Sequence, residues 1–334
     1  DTELSKRKNG SVIGRFFGRL LLTLVLVGVL CGCFCGIAFA FYVHTSINPS
    51  AKETASEISK GLGLNLNSFI YTTDAETGEE AVYETIKGRE NREWVDSDKI
   101  PDNLKNAVVA IEDERFYSHH GVDWKSTAKA ILGKLTGTST RGGSTITQQV
   151  VKNMTGDNEV TIKRKVTEIF RALRLEKNYS KDEILETYLN LVYFGNGCNG
   201  IEAAAESYFG KTVGELTIAE AASIVGITQF PYKYDPSRGD WYREQNKERQ
   251  LTVLYKMHEL GKISDEAYEQ AKVEPLVFSW DPGFVPSAGV ASRVDTASST
   301  EYDSYFVERM FNDIVSDMHE KLGYDESVAK DLLY

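Results

Sequence analysis

Hydrophobic residues recur along the chain in three rhythms. The first is an unbroken run: Leu20–Val43 holds 24 residues without a charge. At a rise of about 1.5 Å per residue, a helix of that length spans about 36 Å, against a bilayer core of about 30 Å. The second is a pair of β-prone runs, Ser68–Thr73 and Glu80–Ile86, rich in Ile, Tyr, Thr and Val and separated by the turn-rich Asp74-Ala75-Glu76-Thr77-Gly78; this order predicts a hairpin. The third starts at Pro101, where apolar residues fall at i, i+3, i+4 and i+7 in four successive segments. These are Leu104–Ile111, Trp124–Leu135, Ile162–Leu173 and Ile184–Val192, each predicting an amphipathic helix.

Boundary residues support these helices. Ser180 with Glu183 and Thr217 with Glu220 have capping-box spacing, in which each side chain satisfies the other's free backbone donor. Gly261 fits a helix stop after Lys256–Leu260. Gly133–Gly143, rich in Gly, Thr and Ser, has no apolar period and reads as a mobile loop. The fold class expected is mainly α, with a small β element and an N-terminal transmembrane helix.

Charge sharpens the topology. Residues 1–43 carry five cations against two acids, a net of +3, and leave −14 for the rest of a chain whose total is −11. That balance argues against a nucleic-acid partner. A cleaved signal peptide would have an apolar core of about 7–15 residues followed by a small-x-small site. The run here is longer and lacks such a site, so a retained anchor is expected. Its basic flank puts the N-terminus in the cytoplasm and residues 44–334 outside. Cys31, Cys33 and Cys35 lie inside the run, and Leu30-Cys31-Gly32-Cys33 departs from a lipoprotein cleavage box. Cys198 is alone in the outer part, which therefore has no disulfide framework of its own.

Three clusters carry candidate chemistry. In Ile111–Gly121, Glu112 follows the last apolar position of a helix, where desolvation makes a carboxylate a better base. A solvated acidic helix end is the plain alternative. His119-His120 lacks the i, i+4 spacing and Cys neighbours of a metal site. In Arg141–Lys152, two glycines lead to Ser144 or Thr145 as a cap, with Gln148 at box spacing from Thr145. A helix start with free amides beside hydroxyls and a lysine suits an anion, although the Walker spacing is absent. In the third cluster, Arg164 and Lys165 stand four and three residues before Glu168, so all three share a helix face. That is either a solvated salt-bridged face or a phosphate clamp holding a second carboxylate. Two separated carboxylates suit glycosyl chemistry, and the cations suit a phosphate leaving group.

The segments EDERFYSHHG, GGSTITQQVVK, RKVTE and KDEILETYLN occur in this order, and GIEAAAESYFGK follows. Together they resemble the successive signature motifs of the peptidoglycan glycosyltransferases, family 51, over about residues 90–260. The resemblance implies a lysozyme-like helical domain that polymerises lipid II into β-1,4-linked glycan with inversion and release of undecaprenyl pyrophosphate. It implies Glu112 as general base and Glu168 as a second essential carboxylate, acting on the departing pyrophosphate or organising the cations. Lys152, Arg164 and Lys165 match positions that neutralise the pyrophosphate. Ser144, Thr145, Gln148 and Gln149 match positions lining the donor site, and Asp113, Phe116 and His119 match positions that shape the cleft. Many members carry a basic residue just before the RKxxE helix, where this chain has Glu159-Val160. No metal ligand set is evident; a divalent cation, Mg or Mn, is the one cofactor such a leaving group invites.

The anchor and the region after 260 resemble class A penicillin-binding proteins, which carry a transpeptidase domain after the glycosyltransferase. Ser126-Thr127-Ala128-Lys129 has Ser-x-x-Lys spacing but lies in a helix, with no Lys-Thr-Gly after it, so that second domain is expected to be missing. The expected organisation is a basic cytoplasmic tail at 1–19, an anchor at 20–43 and a stalk and hairpin at 44–95. The glycosyltransferase domain follows at 96–275, and a linker at 276–334. Expected partners are lipid II, the nascent strand, the bilayer of a bacterial plasma membrane and other wall-building proteins. Phe116, Tyr117, Trp124 and the mobile loop are candidates to dip into the membrane interface, with filling of the core as the alternative. The competing readings are a glycan-cleaving lytic transglycosylase or muramidase-like enzyme, and a non-catalytic wall scaffold.

Overall fold

A computed structural model describes residues 2–47, 49, 68–73, 80–86, 92–137, 142–156, 159–290 and 305–322. The chain divides into two compact units, Asp1–Glu53 and Thr54–Tyr334. In the first unit, helix α1 (Thr2–Tyr42) continues into a π-helical turn at Val43–Ile47. Within it, Phe16–Ser46 is long and apolar enough to cross a membrane. The stalk expected from residue 44 starts within this π-helical turn; its residues 50–66 and the turn at 74–78 lie outside the described residues.

In the second unit, β1 (Ser68–Thr73) and β2 (Glu80–Ile86) pair antiparallel, with a register shift between Ile70 and Tyr71. The helices that follow are α2 (Asp102–Glu112), α3 (Trp124–Thr136), α4 (Ile146–Thr155), α5 (Ile162–Asn178) and α6 (Lys181–Leu191). Next come α7 (Ile201–Phe209), α8 (Ile218–Ile227), the short α9 (Pro231–Tyr234), α10 (Asp240–Glu259), α11 (Asp265–Val273) and α12 (Tyr305–Leu322).

Helix α8 reads apolar on every side, and all but its first residue are buried, the pattern of a helix surrounded by others. It packs along α10, and α2 packs against both. Helix α4 packs between α5 and α6. The shared core holds Phe116, Tyr188, Phe194, Tyr208 and Phe209, all with under 2% of their surface exposed. Phe116 therefore fills the core, whereas Tyr117 and Trp124 remain 52% and 60% exposed.

The capping boxes at Ser180–Glu183 and Thr217–Glu220 are both formed. Helix α10 ends at Glu259, with Gly261 in the left-handed region at φ 64. The loop expected from Gly133 starts later: α3 runs through Gly133 to Thr136, and Gly137 closes it at φ 69, its amide donating to the Gly133 carbonyl. One glycine within a helix costs only about 1 kcal/mol, too little to end α3 early. Packing also continues past residue 275. Phe278 stacks on Phe209 at 5.2 Å, and the amides of Ser279 and Ser287 donate to the carbonyls of Tyr208 and Gly210.

Candidate active site

Glu112 is the last residue of α2, whose inner face buries Leu104, Ala107 and Val108. Its carboxylate is held on both oxygens. Gln149 Nε2 of α4 donates to Oε2 at 2.9 Å, and Thr228 Oγ1, just past α8, donates to Oε1 at 3.0 Å. The same Thr228 hydroxyl lies 2.9 Å from the Val225 carbonyl. One proton thus serves two acceptors. Beside them stands Tyr188 of α6, fully buried, with no close hydrogen-bond partner for its hydroxyl among the described residues. Burial pushes the Tyr188 phenol far above its ordinary value, and the neighbouring Glu112 charge adds to the shift. It therefore stays a neutral donor beside the carboxylate.

Asp113 anchors this end of α2 to α4. Its Oδ2 accepts from the Ile146 amide at 3.1 Å and lies 2.9 Å from His119 Nε2. Thr145 and Gln148 form a reciprocal capping box. The Thr145 hydroxyl also donates to the Gly121 carbonyl at 2.6 Å. Gly121 has φ +85, and a Cβ there would meet the Ala172 carbonyl oxygen at 2.7 Å, so only glycine fits where this loop crosses α5.

These contacts fill the α4 start from within the protein. A helix N-terminus attracts negative charge, but the protein's own Asp113 carboxylate already takes that position. Thr145 and Gln148, expected to line a donor site, are 2% and 1% exposed and turned into the cap. Of that group, Ser144 accepts from Lys165 and Gln149 donates to Glu112.

The second carboxylate has different partners. Glu168 is 5% exposed, receives Arg164 Nη1 at 2.6 Å and pairs with Lys165 Nζ. Lys165 Nζ also donates to Ser144 Oγ at 2.9 Å. Two cations on one carboxylate leave a net charge of +1. Arg164 keeps a further donor, Nε, buried and without an acceptor among the described residues. Lys152 is exposed, three residues after Gln149 and so on the same face of α4.

The structure therefore gathers the expected residues along one helix. Gln149 ties α4 to Glu112, and Ser144 ties its start, through Lys165, to Glu168. Five positions of chain separate the two ties. Thr147 donates to Glu176 Oε1 at 2.6 Å, which also accepts from Lys181 at 2.6 Å, locking α4, α5 and α6 at this point. Ser126 of the Ser-x-x-Lys match accepts from Arg115 Nη2 at 3.1 Å. Thr228 and Tyr188 escaped the sequence reading. Thr228 lies 116 positions from Glu112, and Tyr188 sits at an apolar-periodic position, so neither carries a local signal.

Known proteins share this stretch. Residues 79–258 match the Transglycosylase family. The chain is 41% identical over 257 residues to penicillin-binding protein 1A of Clostridium perfringens strain 13, covering 73% of this chain and 36% of that protein. It is 41% identical over 242 residues to penicillin-binding protein 1A/1B of Bacillus subtilis, covering 72% and 25%. A crystal structure of penicillin-binding protein 1A from Haemophilus influenzae aligns with TM-score 0.37 and 22% identity, covering 78% of this chain and 25% of that one. The chain thus spans about a third or less of the length of these relatives.

Proposed function

Because the chain belongs to the Transglycosylase family, we propose that it is a peptidoglycan glycosyltransferase acting on lipid II in bacterial cell-wall synthesis. The supporting observation is the pair of unlike carboxylates tied to the start of α4. One receives neutral donors alone among the described residues, and the other is clamped by two cations.

Glu112 takes the proton of the 4-hydroxyl on the incoming GlcNAc. That oxygen attacks the anomeric carbon of the growing strand from the face opposite the α-linked diphosphate. The new β-1,4 bond forms as the bond to the phosphate oxygen breaks, and the electron pair leaves on undecaprenyl pyrophosphate. The Gln149 and Thr228 donors orient the Glu112 carboxylate for this transfer. Arg164 and Lys165 present fixed positive charge where negative charge develops on the leaving group, with Lys152 on the same helix as a third cation. Glu168 holds the first two in place; with both oxygens on cations, it is an organiser of charge rather than a second base. No group of three His, Cys, Asp or Glu among the described residues is placed to hold a metal ion, and no step here depends on one.

The same reading gives the N-terminal helix the role of a single-pass anchor with the basic end inside, and it leaves residues beyond the packed body as a connector. A glycan-cleaving enzyme would have no diphosphate to grip, which disfavours the lytic alternative. The test uses the full chain in detergent with labelled lipid II. Glu112→Gln should cut polymerisation by about 10²–10⁴-fold with unchanged thermal unfolding. Shortening of preformed strands by the unsubstituted protein, or retained polymerisation by the variant, would overturn the reading.

A further inference from the structure

Tyr188 and Tyr208 both lie wholly inside the helical core, and their hydroxyls fare differently. The Tyr208 hydroxyl has the Phe194 carbonyl and Asp235 Oδ1 as acceptors, each at 3.0 Å. The Tyr188 hydroxyl, buried as deeply, has no close partner among the described residues. A buried hydroxyl without a partner costs stability that a phenylalanine of the same shape would not. Packing alone therefore gives no reason for the oxygen.

Its surroundings do. The Glu112 carboxylate and the Thr228 side chain both act on the phenol. Thr228 has one proton and two acceptors for it, Glu112 Oε1 at 3.0 Å and the Val225 carbonyl at 2.9 Å. Its oxygen keeps lone pairs, and no close donor among the described residues uses them. An unused O–H and an unused hydroxyl oxygen are thus neighbours beside the same carboxylate. Gln149 donates to the other oxygen of Glu112, so Thr228, whose proton is shared, is the looser of the two supports.

We propose that Tyr188 is a positioning residue for Glu112: with substrate in place, its hydroxyl closes on Thr228 Oγ1 and commits the Thr228 proton to the carboxylate. Hydrogen bonds among catalytic groups are often long in a free enzyme and tighten in its complex with substrate. A donor on Thr228 Oγ1 occupies one side of that oxygen and so orients the remaining proton. It also polarises the hydroxyl, which strengthens the bond from Thr228 to Glu112. Burial keeps the phenol neutral, so no covalent bond is made or broken at Tyr188. The proton that Glu112 takes remains that of the sugar hydroxyl. A tyrosine that only filled space would leave turnover indifferent to its oxygen.

The proposal rests on the glycosyltransferase reading with Glu112 as base. The test compares Tyr188→Phe, Tyr208→Phe, Thr228→Val and the Tyr188→Phe, Thr228→Val double variant in the full chain in detergent. Labelled lipid II is the substrate, and thermal unfolding is followed in parallel. Tyr188→Phe should lower kcat by about fivefold with KM unchanged, and its unfolding midpoint should equal or exceed that of the unsubstituted protein. Tyr208→Phe should do the opposite, lowering the midpoint and sparing kcat. In the Thr228→Val background, Tyr188→Phe should lower kcat no further, because its effect passes through the hydroxyl already removed. Normal kcat in Tyr188→Phe, a kcat loss matched by a lowered midpoint, losses that multiply in the double variant, or an equal fall of kcat in Tyr208→Phe would overturn it. If Glu112→Gln still polymerises, the base assignment fails and Tyr188 has nothing to position. If Glu112→Gln is inactive while Tyr188→Phe turns over normally, the proposal alone fails.

Discussion

The two carboxylates tied to the start of α4 are the same residue type in opposite settings. Glu112 is half-buried and, among the described residues, receives neutral donors alone, an amide and a hydroxyl from two different helical regions. Glu168 is almost wholly buried and receives two cations from its own helix, each about one turn away, at i−4 and i−3. A carboxylate with neutral donors keeps its charge available for an incoming proton. A carboxylate with two cations has its charge neutralised and instead fixes where the positive charge sits. The sequence offers the same letter at both places; the partners divide the labour.

Removing Glu168 should produce the largest structural effect. Glu168→Ala leaves Arg164 and Lys165 facing each other without an anion, and breaking a buried ion pair costs about 3–5 kcal/mol. Lys165 is 35% exposed, so solvent screening should reduce the loss to about 2 kcal/mol, read as a fall in thermal or denaturant midpoint. Glu112→Ala, by contrast, should leave the midpoint nearly unchanged; an equal loss at both sites would erase the distinction.

A smaller effect is expected at the neutral donors. Thr228→Val keeps the shape but removes one of the two groups orienting Glu112, and should lower kcat by about tenfold with little change in KM for lipid II. A rise in KM with kcat intact would place Thr228 in substrate binding instead. Next, Thr145→Ala removes a capping box on which both ends of the site depend, and should cost about 1 kcal/mol of stability, measured by denaturant unfolding.

The smallest effect is one of pH and lies outside both sites. The Ser180 amide and hydroxyl hold the Glu183 carboxyl below its ordinary value of 4.5. A carboxyl lowered in the folded state binds fewer protons there than when unfolded. Its contribution is therefore complete above about pH 4.5 and is lost as pH falls through the lowered value. Glu183→Gln removes that contribution, so stability should fall slightly at neutral pH and stay unchanged below the lowered value, which flattens the acid side of the curve.

Much of this was legible from residue order. The strand bounds, the starts of α3 and α5, and the capping boxes follow from periodicity and cap chemistry, because both act over three or four residues. The Glu168 clamp was legible for the same reason. What escaped depends on contacts between distant segments. Asp113 fills the anion position at the α4 start from another helix, and so Thr145 and Gln148 turn inward. Thr228 reaches Glu112 only after α8 has packed against α2.

The division of labour is tested most directly by measuring the affinity of a lipid pyrophosphate for the unsubstituted protein, Glu112→Gln and Lys165→Ala by titration calorimetry. The account predicts the same affinity for Glu112→Gln and at least a tenfold loss for Lys165→Ala. Equal losses in both variants, or no loss in Lys165→Ala, would contradict it.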